Sequence, residues 1–222
     1  MNCMKKHIPC RKIVFLLIAL SLFMLIGGIT IRVFSKKHID YSAIKINGVV
    51  LPVPQAISAF SLTDTHGNTF TQKNLEHTWN MMFFGFTHCG MVCPVTLDAL
   101  SKMYKLLQHE LPQNQLPQIV FISVDPERDT QGRIDEYLTA FNPHFIGLRA
   151  EATKTFALEK QLHIAAIKMQ ADLPAKNHYT INHSSEILLF NPAGKLQAYF
   201  SYPHDPLQMS KDYQFMIKTF KG

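Results

Sequence analysis

The sequence predicts an α/β domain, in which helices flank a central parallel/antiparallel sheet, behind a single N-terminal transmembrane helix. Three observations predict this fold class. Short, continuous apolar segments alternate with amphipathic helical patterns. Such segments are typical of strands that are covered on both faces. Two apolar segments near the C-terminus flank a turn, which predicts an antiparallel edge. A long uncharged stretch near the N-terminus predicts the membrane helix.

The uncharged stretch runs from residue 13 to residue 31. At 1.5 Å per helical residue it covers roughly 28 Å, enough for one membrane span. A cleaved signal peptide is the competing interpretation, but the stretch is longer than usual and no Ala-x-Ala-like site follows it. We therefore predict a cytoplasmic N-terminus over residues 1–12, a transmembrane anchor over 13–31, a linker over 32–56 and the domain over 57–222.

The basic charge of the chain lies beside this stretch. Seven of the 22 Lys and Arg residues precede residue 38, where there is no Asp or Glu, and the rest of the chain carries 15 basic and 16 acidic residues. The net charge of +6 therefore does not indicate nucleic-acid binding. Only 12 residues precede the stretch, too few for a mitochondrial transit peptide. We expect a bacterial inner-membrane protein, single-pass, with its C-terminal domain in the periplasm.

The core of the domain is predicted from three consecutive segments. Residues 81–86 and 119–124 are continuous apolar runs, as in central strands. Between them, apolar residues recur at intervals of three and four, namely Leu97, Leu100, Tyr104, Leu107 and Leu111. That periodicity predicts a helix with one buried face, and a strand, helix and strand in this order predict a right-handed crossover between parallel strands.

The outer elements are predicted from local patterns. Residues 60–70, FSLTDTHGNTF, predict a hairpin around a Gly-Asn turn, and residues 186–200 predict a second hairpin around NPAGK. A helix is expected over 131–141, with Asp129 and Thr130 as N-cap candidates. The remaining expectations are strands at 145–148 and 164–169, a last helix burying Met209, Tyr213, Met216 and Phe220, and a connecting arm over 40–56 that contains Pro52 and Pro54.

The motif that carries chemistry is FFGFTHCGMVCP, residues 83–94. Its cysteines, Cys89 and Cys93, lie four residues apart, on one face of a helical turn, so their sulfurs can close a disulfide or hold one soft metal ion. Pro94 suits the first turn of a helix, where a thiolate acquires a lowered pKa. Ligands of open α/β sheets bind beyond the carboxyl ends of parallel strands, where this loop emerges. A passive disulfide or two buried thiols remain alternatives.

Three segments in this order, the cysteine loop, SVDPERDT at 123–130 and HSSEILLFNPAGK at 183–195, resemble the Sco (SenC-like) family of copper-binding thioredoxin-fold proteins. The resemblance covers roughly residues 50–220. It implies a thioredoxin-like fold and copper, as Cu(I) or Cu(II), as the bound metal.

The resemblance also implies that Cys89, Cys93 and His183 are the metal ligands. The donor chemistry agrees, because two thiolates and an imidazole form a soft site of low coordination number that suits copper, especially Cu(I). Structural zinc normally takes four protein ligands. Since most histidines bind no metal, His183 is indicated only by its place in the family pattern.

The chain departs from the family at two places around this site. Family members usually have Pro-Asp where Gly90 and Met91 stand, and Asp where Asn182 precedes the histidine. The ligand set is unchanged, but the loss of two acidic side chains puts in doubt any partner docking that uses them. We expect Met91 to form an apolar contact surface rather than to act as a weak ligand.

Other polar residues near these motifs receive structural interpretations. His88 adjoins Cys89 and should affect access or pKa, because consecutive residues of a turn point apart. Asp125, Arg128 and Asp129 are expected to shape their loop and to cap the next helix. Met169 and His178, on the segment before His183, are expected to be solvated.

The resemblance implies a membrane-tethered copper metallochaperone that delivers copper to the subunit of cytochrome c oxidase with the dinuclear copper site. A membrane anchor would raise the effective concentration of the copper donor near its membrane-bound acceptor. The alternative is a thiol-disulfide oxidoreductase, with Cys89 and Cys93 as catalytic, redox-active residues that keep the oxidase cysteines reduced. The cysteine spacing suits both functions, and His183 favours metal. A peroxiredoxin, a third alternative, is disfavoured by the second cysteine and by the absence of a Pro-x-x-x-Thr segment before Cys89.

Overall fold

The computed structural model describes residues 15, 17–25, 41, 44–170 and 179–220. The chain divides into two compact units, Met1–Ala43 and Ile44–Gly222. In the first unit, residues 15 and 17–25 are helical. Among the described residues, no helix combines the length and the apolar character needed to cross a membrane. Part of the predicted span lies outside the described residues, and the anchor stays a prediction.

The described part of the second unit contains ten strands. In chain order they are β1 (Gly48–Gln55), β2 (Ser61–Asp64), β3 (Thr69–Thr71), β4 (Asn80–Gly85), β5 (Gln118–Ser123), β6 (Ile146–Arg149), β7 (Ala166–Gln170), β8 (Tyr179–His183), β9 (Ile187–Phe190) and β10 (Leu196–Phe200). Eight of them form one sheet in the order β1–β10–β9–β4–β5–β6–β2–β3, and β7 pairs with β8 in a separate hairpin. The β4–β5 and β5–β6 pairs are parallel. The other pairs are antiparallel, which confirms the predicted mixed sheet.

Four helices accompany these strands in the described residues: α1 (Val92–Glu110), α2 (Gln131–Thr139), α3 (Ala152–Gln161) and α4 (Pro206–Thr219). Two 3₁₀ turns lie at Gln72–Leu75 and Gln113–Gln115. The predicted crossover from β4 through α1 to β5, both predicted hairpins and the last helix are confirmed. Helix α3 is absent from the sequence-based prediction because its buried face carries Thr155 and Glu159 beside Leu158, so no apolar periodicity marks it.

The sheet is covered on both faces. In β4, Met81 and Phe83 pack into one apolar cluster with α1, α2 and α4, whereas Met82 and Phe84 pack into a second cluster with α3 and β2. Every residue of β4 is buried. Burial on both faces explains why the strand appears in the sequence as a continuous apolar run rather than an alternating one.

Two segments differ from the sequence-based expectation. Within the expected connecting arm, residues 48–55 form the edge strand β1, antiparallel to β10. Its prolines, Pro52 and Pro54, are tolerated because an edge strand leaves N–H positions that pair with no neighbour. The expected strand at 164–169 is β7, but it lies outside the main sheet and pairs with β8 instead.

Candidate metal centre

The two cysteines lie where β4 passes into α1. Met91 is the N-cap residue of α1, and Cys93 lies in the first helical turn. The backbone N–H of Cys93 donates to Sγ of Cys89 over 3.4 Å, and the N–H of Cys89 donates to the carbonyl of Phe86 over 3.2 Å. The first N–H groups of a helix have no partner within it, so this contact both satisfies one of them and fixes Cys89 beside Cys93.

His183 reaches the cysteines from the end of β8. Its Nε2 lies 3.2 Å from Sγ of Cys93, and its Nδ1 lies 2.8 Å from the carbonyl oxygen of Ser184. A carbonyl can only accept, so Nδ1 carries a proton, and Nε2 is the ring nitrogen that faces the sulfur. The ring packs edge-on against Phe83 and Phe86, at centroid distances of 6.0 and 5.7 Å. Both contacts hold the ring in the orientation that a ligand needs.

These three side chains form a compact donor set. The sulfurs of Cys89 and Cys93 and a ring nitrogen of His183 all lie within 4.8 Å of one another, and both cysteines are free thiols. Cys93 is buried, whereas Cys89 and His183 are half-buried, which leaves one side of the cluster accessible. Among the described residues, no fourth Cys, His, Asp or Glu joins the cluster. Two sulfurs and one imidazole fit a soft ion that accepts three ligands, such as Cu(I).

The two thiols differ strongly in acidity. A hydrogen bond from the Cys93 thiol, supported by further hydrogen bonds from His183 and from the N–H groups of Cys93 and Met91, lowers the pKa of Cys89 to about 3. The hydrogen bond with Cys89, together with burial, raises the pKa of Cys93 above its usual range. The metal-free pair therefore holds one proton, on Cys93, and presents a thiolate at Cys89.

The acidic residues predicted beside the site organise its loop. Asp129 is fully buried and accepts hydrogen bonds from the N–H of Thr87 and from the hydroxyls of Thr87 and Ser123, the last two over 2.6 Å. It thereby ties the loop before Cys89 to the end of β5. Asp129 does not cap α2, because the hydroxyl of Thr130 accepts the N–H of Arg133 there.

The remaining predicted residues lie around this centre. Nδ1 of His88 lies 3.7 Å from Asp129, and His88 clusters with Asp125 and Asp129 rather than with the cysteines. Met91 is 71% exposed. Met169 lies on β7 and is half exposed, whereas His178 lies outside the described residues.

One residue behind the site was not identified from the sequence. A Cβ at Gly85 would lie 2.9 Å from Sγ of Cys93, so only glycine fits there without a shift. The available signal was a glycine at the end of an apolar strand, which marks a close approach of another group.

Comparison with known proteins gives consistent matches. Residues 52–218 match the model of the SCO1/SenC family. A Stutzerimonas stutzeri protein named for copper binding is 31% identical over 157 residues, which are 71% of this chain and 74% of that protein. The mitochondrial SCO1 homolog 1 of Arabidopsis thaliana is 32% identical over 178 residues, 77% of this chain. This chain spans about half, 51%, of the length of that relative.

A solved structure gives the same result for the fold. The crystal structure of Arabidopsis thaliana ScoI with copper bound superposes with a TM-score of 0.68 at 28% identity, over 73% of this chain and 98% of that chain. The fold is therefore the α/β thioredoxin-like fold of the Sco proteins.

Proposed function

This chain belongs to the SCO1/SenC family, and from that premise we propose that it is a membrane-tethered copper metallochaperone. It binds one copper ion through Cys89, Cys93 and His183 and delivers it to the copper-bearing subunit of cytochrome c oxidase during assembly. The observation that carries the proposal is the approach of Nε2 of His183 to within 3.2 Å of Sγ of Cys93, with the opposite ring nitrogen held by Ser184.

The protonation states suit copper capture. Cys89 offers a thiolate on the accessible side, so this ligand needs no proton loss, and His183 directs Nε2 at the cysteines. The third ligand, Cys93, releases its proton when it binds, which couples copper uptake to pH. Because the cluster has three protein ligands, an incoming acceptor thiolate or imidazole can add to the ion before the donor ligands leave.

The membrane tether and the periplasmic location are part of the same proposal. They rest on the uncharged stretch over residues 13–31 and on the paired cysteines. A site built from two paired cysteines suits a compartment outside the reducing cytosol. An anchor would keep the copper donor in the plane of its membrane-bound acceptor.

A thiol-disulfide oxidoreductase is the second candidate, and the thiolate at Cys89 favours it. Cys89 would attack the disulfide of an acceptor, forming a mixed disulfide and releasing one acceptor thiolate. Cys93 would then lose its proton to the released thiolate and attack the sulfur of Cys89, which releases the second acceptor sulfur as a thiolate. The acceptor gains two electrons, and the pair ends as a Cys89–Cys93 disulfide. This chemistry needs neither His183 nor copper.

The histidine therefore separates the two candidates. In the native host at limiting copper, we expect cytochrome c oxidase assembly to fail both in a Cys89→Ser strain and in a His183→Ala strain. A His66→Ala strain is the control, because His66 is an exposed histidine in the turn between β2 and β3. Normal oxidase activity in the His183→Ala strain, with failure in the Cys89→Ser strain, would replace the chaperone by the oxidoreductase.

A further inference from the structure

The third ligand of the proposed site lies on a hairpin that is separate from the main sheet. His183 ends β8, and the β7–β8 hairpin has no strand pairing with the main sheet. Between the hairpin and the body of the domain lies a cleft of about 170 Å³, lined by Val124, Asp125, Glu159, Lys168 and Ile181 among others. Ile181 of β8 is buried in the main apolar cluster, but the cleft beside it is not filled by packed side chains, so polar and ring contacts also determine the position of the hairpin.

Tyr179, the first residue of β8, makes the most extensive of these contacts. Its hydroxyl donates to a carboxylate oxygen of Asp125 over 2.6 Å. The guanidinium carbon of Arg128 lies over its ring at 3.6 Å from the centroid, and Nη1 of Arg128 donates to its carbonyl oxygen over 3.0 Å. Arg128 also pairs with Asp125. Three residues thus close a ring of contacts between the hairpin and the loop after β5.

The other strand of the hairpin, β7, joins the same arrangement. Nζ of Lys168, on β7, lies 3.8 Å from the centroid of the Tyr179 ring and 2.8 Å from a carboxylate oxygen of Glu127. Arg128 in turn lies 5.7 Å from the ring centroid of Phe86, one of the two aromatic residues that hold His183. The contacts therefore connect the hairpin to the loop that carries the cysteines.

We propose that Arg128 and Tyr179 are positioning residues that hold the β7–β8 hairpin so that His183 lies beside Cys89 and Cys93. This inference rests on the proposed copper site. Asp125 is buried, so loss of the Tyr179 hydroxyl leaves a buried acceptor without its donor and favours displacement of the hairpin. Once the hairpin is displaced, part of the free energy of copper binding is used to return His183 to the cysteines, so the affinity of the site for copper falls.

The first measurement compares copper affinities of variants of the full-length, reduced chain. Competition with a chromophoric Cu(I) chelator should give a dissociation constant roughly ten-fold higher for Tyr179→Phe and for Arg128→Lys, as for other residues that orient a metal ligand. Tyr213→Phe is the matched control, because its hydroxyl donates over 2.7 Å to the carbonyl oxygen of Gln115, and this hydrogen bond is partly buried like that of Tyr179. It should leave copper affinity unchanged.

The second measurement repeats the comparison in a His183→Ala background. If Tyr179 and Arg128 act through His183, their replacement should have no further effect on copper affinity there, whereas a general loss of stability would weaken binding equally in both backgrounds. Equal losses in both backgrounds, or affinities equal to that of Tyr213→Phe, would overturn the inference. If the unaltered chain binds no Cu(I), or binds it as tightly after His183→Ala, the proposed copper site itself fails.

Discussion

Gly85 and Cys93 are in such close contact that a Cβ at residue 85 would lie 2.9 Å from the sulfur of Cys93. The same Cβ would lie 2.9 and 3.0 Å from ring atoms of Phe121 and Phe83. All three neighbours are buried, so none can move into solvent. The last residue of β4 therefore determines how deep the Cys93 thiol lies and how close it comes to His183.

Gly85→Ala should consequently weaken both the fold and the site. Inserting a methyl group into a packed core costs about 1–3 kcal/mol of unfolding free energy. We expect a loss of that size in chemical unfolding of the metal-free chain, together with a lower affinity for Cu(I). Gly90→Ala is the control in the same loop, since a Cβ there meets no atom within 4 Å. Unchanged stability and affinity in Gly85→Ala would show that the contact is less rigid than the geometry indicates.

The thiolate at Cys89 predicts a characteristic pH profile of alkylation. Because the pKa of Cys89 is lowered to about 3, its reaction with iodoacetamide should be nearly independent of pH between about 5 and 8 in the metal-free chain. Its ionisation is lost only as the pH falls toward that value. Mass spectrometry of the labelled protein should place the first adduct on Cys89, with Cys93 protected by burial and by its raised pKa.

A Cys93→Ala variant tests the cause of this shift. It removes the hydrogen bond that contributes most to the lowered pKa of Cys89, so the inflection of the profile should move to higher pH. An inflection near the ordinary cysteine value of about 9 in the unaltered chain would contradict the assigned thiolate.

Local patterns predicted the centre of the fold, and long-range contacts account for what they missed. Strands β4 and β5 were identifiable because both of their faces are buried, and α1 because its buried face is apolar. The two prolines of β1 led to the prediction of a connecting arm rather than a strand. The pairing of β1 with β10 is a long-range contact, and the sequence of β1 alone does not reveal it. Helix α3 uses Thr155 and Glu159 on its buried face, which hides its amphipathic pattern.

The residues of the candidate site likewise comprise some that local patterns predict and others that depend on long-range contacts. The spacing of Cys89 and Cys93 is a local signal, and the helix start that positions them was predicted from Pro94. His183 lies 90 residues after Cys93 on a separate hairpin, so it could be indicated only by the family pattern. The contacts of Arg128 with Tyr179 join segments 51 residues apart, and no sequence pattern reveals them.

The predicted topology can be tested through the cysteines. If residues 13–31 form an uncleaved anchor, the mature protein should retain its N-terminus, and a membrane-impermeant maleimide added to spheroplasts should label Cys89. A matched variant that keeps only Cys3 or Cys10 should be labelled only after lysis. A mature N-terminus beyond residue 27, or labelling of Cys89 that requires lysis, would contradict the predicted arrangement.

Glu159 should make the stability of the metal-free chain fall as pH rises. Burial raises the pKa of this carboxyl to about 7, an effect that His183 partly opposes. Glu159 lines the cleft beside the β7–β8 hairpin, and the other charged residues of that cleft are Asp125, Glu127 and Lys168. Because the folded state binds the proton more tightly than the unfolded chain, the full stability is present below about pH 4.5 and is lost progressively as the pH rises through 7. The loss has an upper limit of roughly 3 kcal/mol.

Glu159→Gln removes this titration. Chemical unfolding should therefore give similar stabilities for the variant and the unaltered chain at pH 4.5, and a more stable variant at pH 8, because glutamine stays neutral in the buried position. Glu136→Gln, at an exposed position on α2, is the control and should not change the pH dependence. Equal stability of Glu159→Gln and the unaltered chain at pH 8 would contradict this prediction. It would mean that other groups in the cleft stabilise the Glu159 carboxylate and that its pKa is not raised.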